Sequence, residues 1–225
     1  NKAEFFAGHS LGEYSALSCA GYMKFSDTIK ILKIRGEAMQ TAVPKGIGGM
    51  VAILGSTIKI IEEMIDSNKN NFNIQIANDN SDGQIVVSGK LIDLDRFIEI
   101  LKLKKIKNIK LPVSAPFHCE LMNNATKIME EEINKIDFAK GYNVLMSNVT
   151  ADKIKECSEM KNLLIKQIES RVRWRESVIN MINSGVNNFI EIGPGKVLSG
   201  LIKRINREAK VQSINSEEDI KNLSI

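Results

Sequence analysis

The chain predicts an α/β fold in two units: a hydrolase-like parallel-sheet large domain, interrupted by a smaller inserted unit. Three observations carry this expectation. A short apolar segment over residues 3–7 runs into Gly8-His9-Ser10-Leu11-Gly12 and then into a helical stretch, the strand, Gly-x-Ser-x-Gly, helix order of a nucleophile elbow. Residues 50–111 follow the order βαββαβ, the split-βαβ or ferredoxin-like arrangement. From residue 142 onward strands alternate with helices, which implies a parallel sheet. At 225 residues and 43% hydrophobic, the chain is long enough to bury a core under both units. The expected division is a large domain over 1–45 and 114–225 and a small subdomain over 46–113.

Taken in order, the strand over 3–7 leads to a helix over Leu11–Cys19, which Gly21 closes as the residue beyond the cap. The glycines around Ser10 let the chain turn sharply enough to lift its hydroxyl over the strand end, where the Leu11 amide and the helix N-terminus favour an oxyanion. Ser10 is the candidate nucleophile and Leu11 the candidate oxyanion donor. A serine that merely caps a helix is the plainer alternative. Ser26 and Asp27 then start a second helix. Lys30, Lys33, Glu37 and Gln40 share one face of it, and Ile31, Leu32, Ala38 and Met39 the other. Arg35 falls on the apolar side, about 200° round from Lys33. A cation so placed needs an anion, either a substrate carboxylate or a protein Asp or Glu.

Pro44, Gly46, Gly48 and Gly49 read as a hinge. Beyond it come a strand over 50–54, a helix over 57–68, strands over 72–77 and 84–88, a helix over 91–103 and a strand over 106–111. Asn78-Asp79-Asn80-Ser81-Asp82-Gly83 reads as the turn between the middle strands. Such a unit has its ends close together, which suits an insertion. Pro112 and Pro116 bracket its exit, followed by Phe117, His118 and a helical run over 120–136. His9 and His118 are the two histidines. His9 adjoins Ser10 on the elbow strand and points to the opposite face, so His118 is the better general base.

The remainder reads as a buried strand over 142–148, a helix over 160–169 that carries Gln167, a helix over 174–184 and a strand over 189–192. A Gly193-Pro194-Gly195-Lys196 turn, a helix over 197–206, a strand over 211–214 and an acidic-capped terminal helix complete it. The Gly-Pro-Gly-Lys turn lacks P-loop spacing and reads as strand-to-helix geometry.

Composition narrows the function classes. The net charge of +4 is spread along the chain with few aromatics interleaved, which argues against a nucleic-acid partner. No apolar run approaches the roughly 18 residues of a membrane span, and neither a signal segment nor a lipidation motif is present, so no membrane role and a cytoplasmic location are expected. Cys19, Cys119 and Cys157 lack CxxC spacing, so neither a disulfide framework nor a metal site is expected. The chain begins at Asn1 without an initiator methionine, and an elbow strand is normally central in its sheet. An absent N-terminal segment is therefore expected.

Gly8-His9-Ser10-Leu11-Gly12-Glu13-Tyr14-Ser15-Ala16-Leu17, Arg35-Gly36, Pro116-Phe117-His118 and Glu191-Ile192-Gly193-Pro194-Gly195-Lys196-Val197-Leu198, in that order, closely resemble the malonyl-CoA:acyl-carrier-protein transacylase family. The resemblance covers essentially the whole chain, including the inserted βαββαβ unit. It implies ping-pong acyl transfer in fatty-acid biosynthesis: Ser10 takes malonyl from malonyl-CoA as an ester, and the phosphopantetheine thiol of acyl carrier protein accepts it. It implies no cofactor. By the same resemblance His118 is the base, Arg35 binds the free malonyl carboxylate, the main-chain carbonyl of Gln167 orients His118, and Asn78 and Asn80 line the pocket. Phe117 matches the malonyl-type pattern and disfavours methylmalonyl, a preference on the order of 1–3 kcal/mol. Two departures stand out. Asp82 occupies a position where the family usually has proline, and no Gly-Gln-Gly segment supplies the family's second oxyanion donor. One such donor is worth about 2.7–4 kcal/mol, so the chain as given is expected to be impaired or inactive.

Two other readings compete. A serine esterase or thioesterase would share the elbow but hand the acyl group to water. Arg35 and the absence of a compelling acidic residue in Ser, Asp, His order argue against it. A catalytically silent fragment that only binds a carrier protein is the other. Lys102, Lys104, Lys105, Lys107 and Lys110, or Lys203, Arg204 and Arg207, are candidates to dock an acidic carrier, with solvated surface lysines as the plain alternative.

Overall fold

The computed structural model describes residues 3–141, 143–154 and 156–223. The first strand, β1 (Phe5–Phe6), pairs in parallel with β6 (Val144–Leu145), and β7 (Asn188–Ile192) pairs in parallel with β8 (Lys210–Ile214). The parallel sheet expected from the strand and helix alternation thus takes the form of two separate strand pairs among the described residues. Between them in sequence lies a four-stranded antiparallel sheet of β2 (Gly48–Leu54), β3 (Ile74–Ser81), β4 (Gln84–Lys90) and β5 (Lys107–Lys110), in the spatial order β3-β4-β2-β5. Helices α3 (Ile58–Asp66) and α4 (Leu91–Leu103) complete its βαββαβ order.

Each unit closes over its own apolar core. Helices α1 (Leu11–Cys19), α2 (Phe25–Thr41), α5 (Asn123–Asn134) and α6 (Cys157–Gln167) enclose one cluster, with Tyr14, Leu17, Met122, Met129 and Ile133 fully buried. In the antiparallel unit Ile53, Ile61, Ile85, Phe97 and Leu101 form a second. A third lies under α7 (Trp174–Asn183) and α8 (Val197–Ile205), around Trp174, Val178 and Phe189. A short terminal helix, α9 (Glu217–Lys221), opens with a capping box between Ser216 and Asp219.

Local chemistry explains some helix ends. Gly21, at φ 81°, ends α1 in a Schellman motif: its N–H donates to the Ser18 carbonyl and that of Tyr22 to the Leu17 carbonyl. Thr57 caps α3 through its side chain. At α2 the expectation needs correction. The helix starts at Phe25, and neither Ser26 nor Asp27 caps it; Lys24 is the cap residue, its carbonyl taking the amides of Asp27 and Thr28. Tyr142, the expected first residue of the β6 strand, lies outside the described residues.

A larger correction concerns Asn78, Asp79, Asn80 and Ser81. They form the last half of β3, with the turn confined to Asp82 and Gly83. The reason is tertiary. Asp79 N–H donates to the Val172 carbonyl, Val172 N–H donates to Ala77 O, and Arg175 binds the Asp79 carboxylate through Nε and Nη2 at 2.9–3.1 Å. These partners outweigh the turn preference of an Asn- and Asp-rich run, and β3 accommodates them with two register shifts against β4.

Candidate active site

The elbow sits where β1 gives way to α1. Gly8 is forced by close approach: a Cβ there would lie 1.9 Å from the Gly12 carbonyl carbon. Ser10 adopts φ 53° and ψ −106°, outside the regions a serine normally occupies, and immediately precedes the helix. Its amide, which α1 cannot satisfy, donates to Asn148 Oδ1 at 2.7 Å, and Asn148 Nδ2 donates to the Gly8 carbonyl at 2.7 Å. One asparagine therefore clamps both sides of the turn.

His118 stands in the loop before α5, itself at φ 60° and almost fully buried. Its Nε2 lies 2.7 Å from Ser10 Oγ, and its Nδ1 lies 2.9 Å from the Gln167 carbonyl. A carbonyl only accepts, so the proton is on Nδ1 and Nε2 presents a lone pair to the serine hydroxyl. Burial, and after it the Arg35 charge, push the imidazole down to about 3, which keeps it neutral as a base must be.

Arg35 projects from the buried face of α2. Its Nη2 donates to Ser10 Oγ at 2.9 Å and to Gln167 Oε1 at 3.0 Å, while its buried Nε has no hydrogen-bond partner among the described residues. The guanidinium carbon lies 5.4 Å from the centre of the Tyr14 ring. Of the two partners expected for this cation, neither an Asp nor a Glu supplies a direct hydrogen bond. An unused buried donor next to the nucleophile suits a planar anion delivered by a ligand.

Gln167, at the end of α6, is fully buried. Besides holding His118 and Arg35, its Nε2 donates to the Ser10 carbonyl at 3.0 Å and to Glu13 Oε2 at 2.6 Å. Leu11 is the first residue of α1, where no intrahelical acceptor exists for its amide, and its side chain is half exposed. Phe117 is partly buried and packs at the seam of the two units, its carbonyl accepting from Ser88 Oγ at 2.6 Å. A cleft of about 520 Å³ opens beside His118, between the α3 and β3 side of the small unit and residues 169–171, with Glu62, Gln75, Ser170 and Arg171 on its walls.

Asn78 and Asn80 are buried on β3. Asn80 Oδ1 faces His9 Nε2 at 2.8 Å, so its side chain is engaged behind the elbow. His9 also rests 5.8 Å from Trp174. The expectation that His9 and Ser10 share the elbow strand needs correction: β1 ends at Phe6, and the contact with Asn80 is what engages the His9 imidazole. Glu13 and Asn148 are the site residues that sequence reasoning passed over. An acidic residue in the first turn of a helix reads as a favourable dipole contact, and that reading concealed a carboxyl that is almost fully buried.

The family model described as "Acyl transferase domain" matches residues 2–222. The malonyl CoA-acyl carrier protein transacylase of Bacillus subtilis (strain 168) is 43% identical over 219 residues, covering 96% of this chain and 69% of that protein. The crystal structure of malonyl CoA-acyl carrier protein transacylase from Clostridium perfringens superposes with a TM-score of 0.95 at 42% identity, over 99% of this chain and 70% of that one. A type II PKS acyl-carrier protein in complex with its malonyl-transacylase matches at TM-score 0.94 and 33% identity, over 99% of this chain and 72% of that one.

Proposed function

Because the chain belongs to the acyl transferase domain family, we propose that it moves malonyl from malonyl-CoA to the phosphopantetheine thiol of acyl carrier protein, the step that charges the carrier for fatty-acid synthesis. The observation that carries this reading is the triple convergence on Ser10 Oγ: a neutral imidazole 2.7 Å away, a guanidinium 2.9 Å away, and a helix N-terminus beneath.

The chemistry follows from those positions. Ser10 Oγ attacks the thioester carbonyl as its proton passes to His118 Nε2, and the Leu11 amide stabilises the tetrahedral oxyanion. His118, now protonated and held by the Gln167 carbonyl, returns the proton to the departing CoA sulfur, leaving malonyl esterified to Ser10. The carrier thiol then gives its proton to His118, attacks the ester, and the proton returns to Ser10 Oγ. Arg35 releases its contact with the hydroxyl and binds the distal carboxylate, which acetyl lacks. A cytoplasmic setting belongs to the same reading, in keeping with three unpaired cysteines among the described residues.

The test is intact-mass measurement after incubation with malonyl-CoA, followed by addition of carrier protein. A malonyl adduct absent in Ser10→Ala and discharged to the carrier supports transfer. Release of free malonate as the dominant product overturns it in favour of a hydrolase. In Arg35→Ala the preference for malonyl over acetyl should collapse by at least tenfold, the order of one charge-assisted contact.

A further inference from the structure

Glu13 has no part in the chemistry described above, yet it occupies the centre of the site's hydrogen bonding. It is almost fully buried on α1, three residues after the nucleophile. Its Oε2 accepts from Gln167 Nε2 at 2.6 Å and its Oε1 from the Asn148 amide at 3.3 Å. Each of those partners holds reacting groups. Gln167 binds Arg35 through Oε1, His118 through its main-chain carbonyl and the Ser10 carbonyl through Nε2. Asn148 binds the Ser10 amide and the Gly8 carbonyl. Resting on the acyl-transfer reading, we propose that Glu13 is a positioning residue that fixes the orientation of Gln167 and Asn148 and so sets Arg35 against Ser10 for malonyl rather than for an uncharged acyl group.

The amide of Gln167 has two possible orientations, and only one serves the site. With Nε2 toward Glu13, Oε1 faces Arg35 and accepts from it. Flipped, the amide would direct a donor at a buried guanidinium and an acceptor at a carboxylate. Glu13 selects the working orientation because both of its oxygens accept. When ionised, its carboxylate also favours the buried Arg35 cation, to which no carboxylate is directly bonded among the described residues. A glutamine at position 13 can satisfy only one of the two donors and sets its own amide against the other.

The test compares wild type, Glu13→Gln and the exchange variant Glu13→Gln/Gln167→Glu, which returns one carboxylate and one amide to the pair with their positions reversed. Acylation of Ser10 is measured with malonyl-CoA and with acetyl-CoA, alongside thermal stability. Glu13→Gln should lose malonyl transfer at least tenfold and acetyl transfer less, so that the malonyl to acetyl ratio falls at least threefold. The exchange variant should recover part of that ratio. A Glu13→Gln variant that loses both activities equally, or neither, overturns the proposal, because a purely structural residue would not move the ratio. If Glu13→Gln does not fold, the exchange variant decides alone: a folded protein with a ratio within threefold of wild type supports the proposal, and a folded one without malonyl preference, or no folded protein, overturns it. A wild type that forms no malonyl adduct even after prolonged incubation at saturating malonyl-CoA, which a loss of one oxyanion donor alone would not prevent, fails the acyl-transfer reading and this proposal with it, whereas an active wild type with an unmoved ratio in the variants fails the proposal alone.

Discussion

Ser10 and His118, whose side chains meet at 2.7 Å, both hold positive-φ backbone conformations, with φ of 53° and 60°. Neither residue type favours that region, and each such residue costs of order 1–3 kcal/mol. The surrounding structure overrides the preference at both residues.

The strain at Ser10 is separable from its hydroxyl. Ser10→Ala and Ser10→Gly both lose the hydroxyl and its contacts to His118 and Arg35, but only glycine relaxes at φ 53°. Ser10→Gly is expected to be more stable than Ser10→Ala by about 1 kcal/mol. Chemical denaturation of the two variants side by side gives the difference.

The two glycines of the elbow are not equivalent. Gly8→Ala places a methyl 1.9 Å from the Gly12 backbone and should destabilise by more than about 3 kcal/mol or prevent folding. A Cβ at Gly12 meets nothing within 4 Å, and the residue is helical, so Gly12→Ala should stabilise by about 0.5–1 kcal/mol. Melting temperatures that move in the same direction for both variants would contradict this.

Arg175→Ala leaves the buried Asp79 carboxylate without its bidentate partner. The expected loss is about 3–5 kcal/mol at pH 7. Burial already pushes Asp79 upward in pKa, with Arg175 the main restraint, so the variant can protonate this carboxyl in mild acid. The penalty should therefore shrink between pH 7 and pH 5, as urea unfolding at the two values would reveal.

Glu13 and His118 give opposite pH slopes. Burial raises Glu13 from 4.5 to about 7, so the folded state holds the extra proton and stability falls as pH rises through that window. His118 is lowered from 6.5 to about 3, so the unfolded state holds the extra proton and stability is lost as pH falls from 6.5 toward 3. The two oppose each other between pH 4.5 and 6.5. Removing the Glu13 contribution in Glu13→Gln should make melting temperature climb more steeply with pH across that interval than in wild type.

The fold class was readable because periodicity and turn chemistry agreed over long stretches. Helix α4 occupies the residues that periodicity marks, 91–103, and α1 those that the elbow and Gly21 bound, 11–19. The motif resemblance to the acyltransferase family was readable for the same reason, and the comparisons bear it out. What local reasoning missed was decided by distant partners. Residues 78–81 carry turn chemistry and form strand because Val172 and Arg175 hold them. Glu13 carries a first-turn acid's signature and is buried because Gln167 and Asn148, more than 130 residues away, require an acceptor there. Arg35 was accessible to pattern reasoning because a cation on an apolar helix face violates the pattern visibly. Asn148 violates no pattern and so gave no signal.

The exchange of amides between Ala77, Asp79 and Val172 has a consequence for modularity. A βαββαβ unit with adjacent ends looks like a cassette that could be cut out and its flanks rejoined. Excision would strand the Val172 N–H and carbonyl and leave Arg175 without its carboxylate, all within eight residues of the carbonyl that orients His118. The small unit therefore buttresses the strand and helix that flank the candidate site, and a shortened chain that omitted it would lose that support along with the unit.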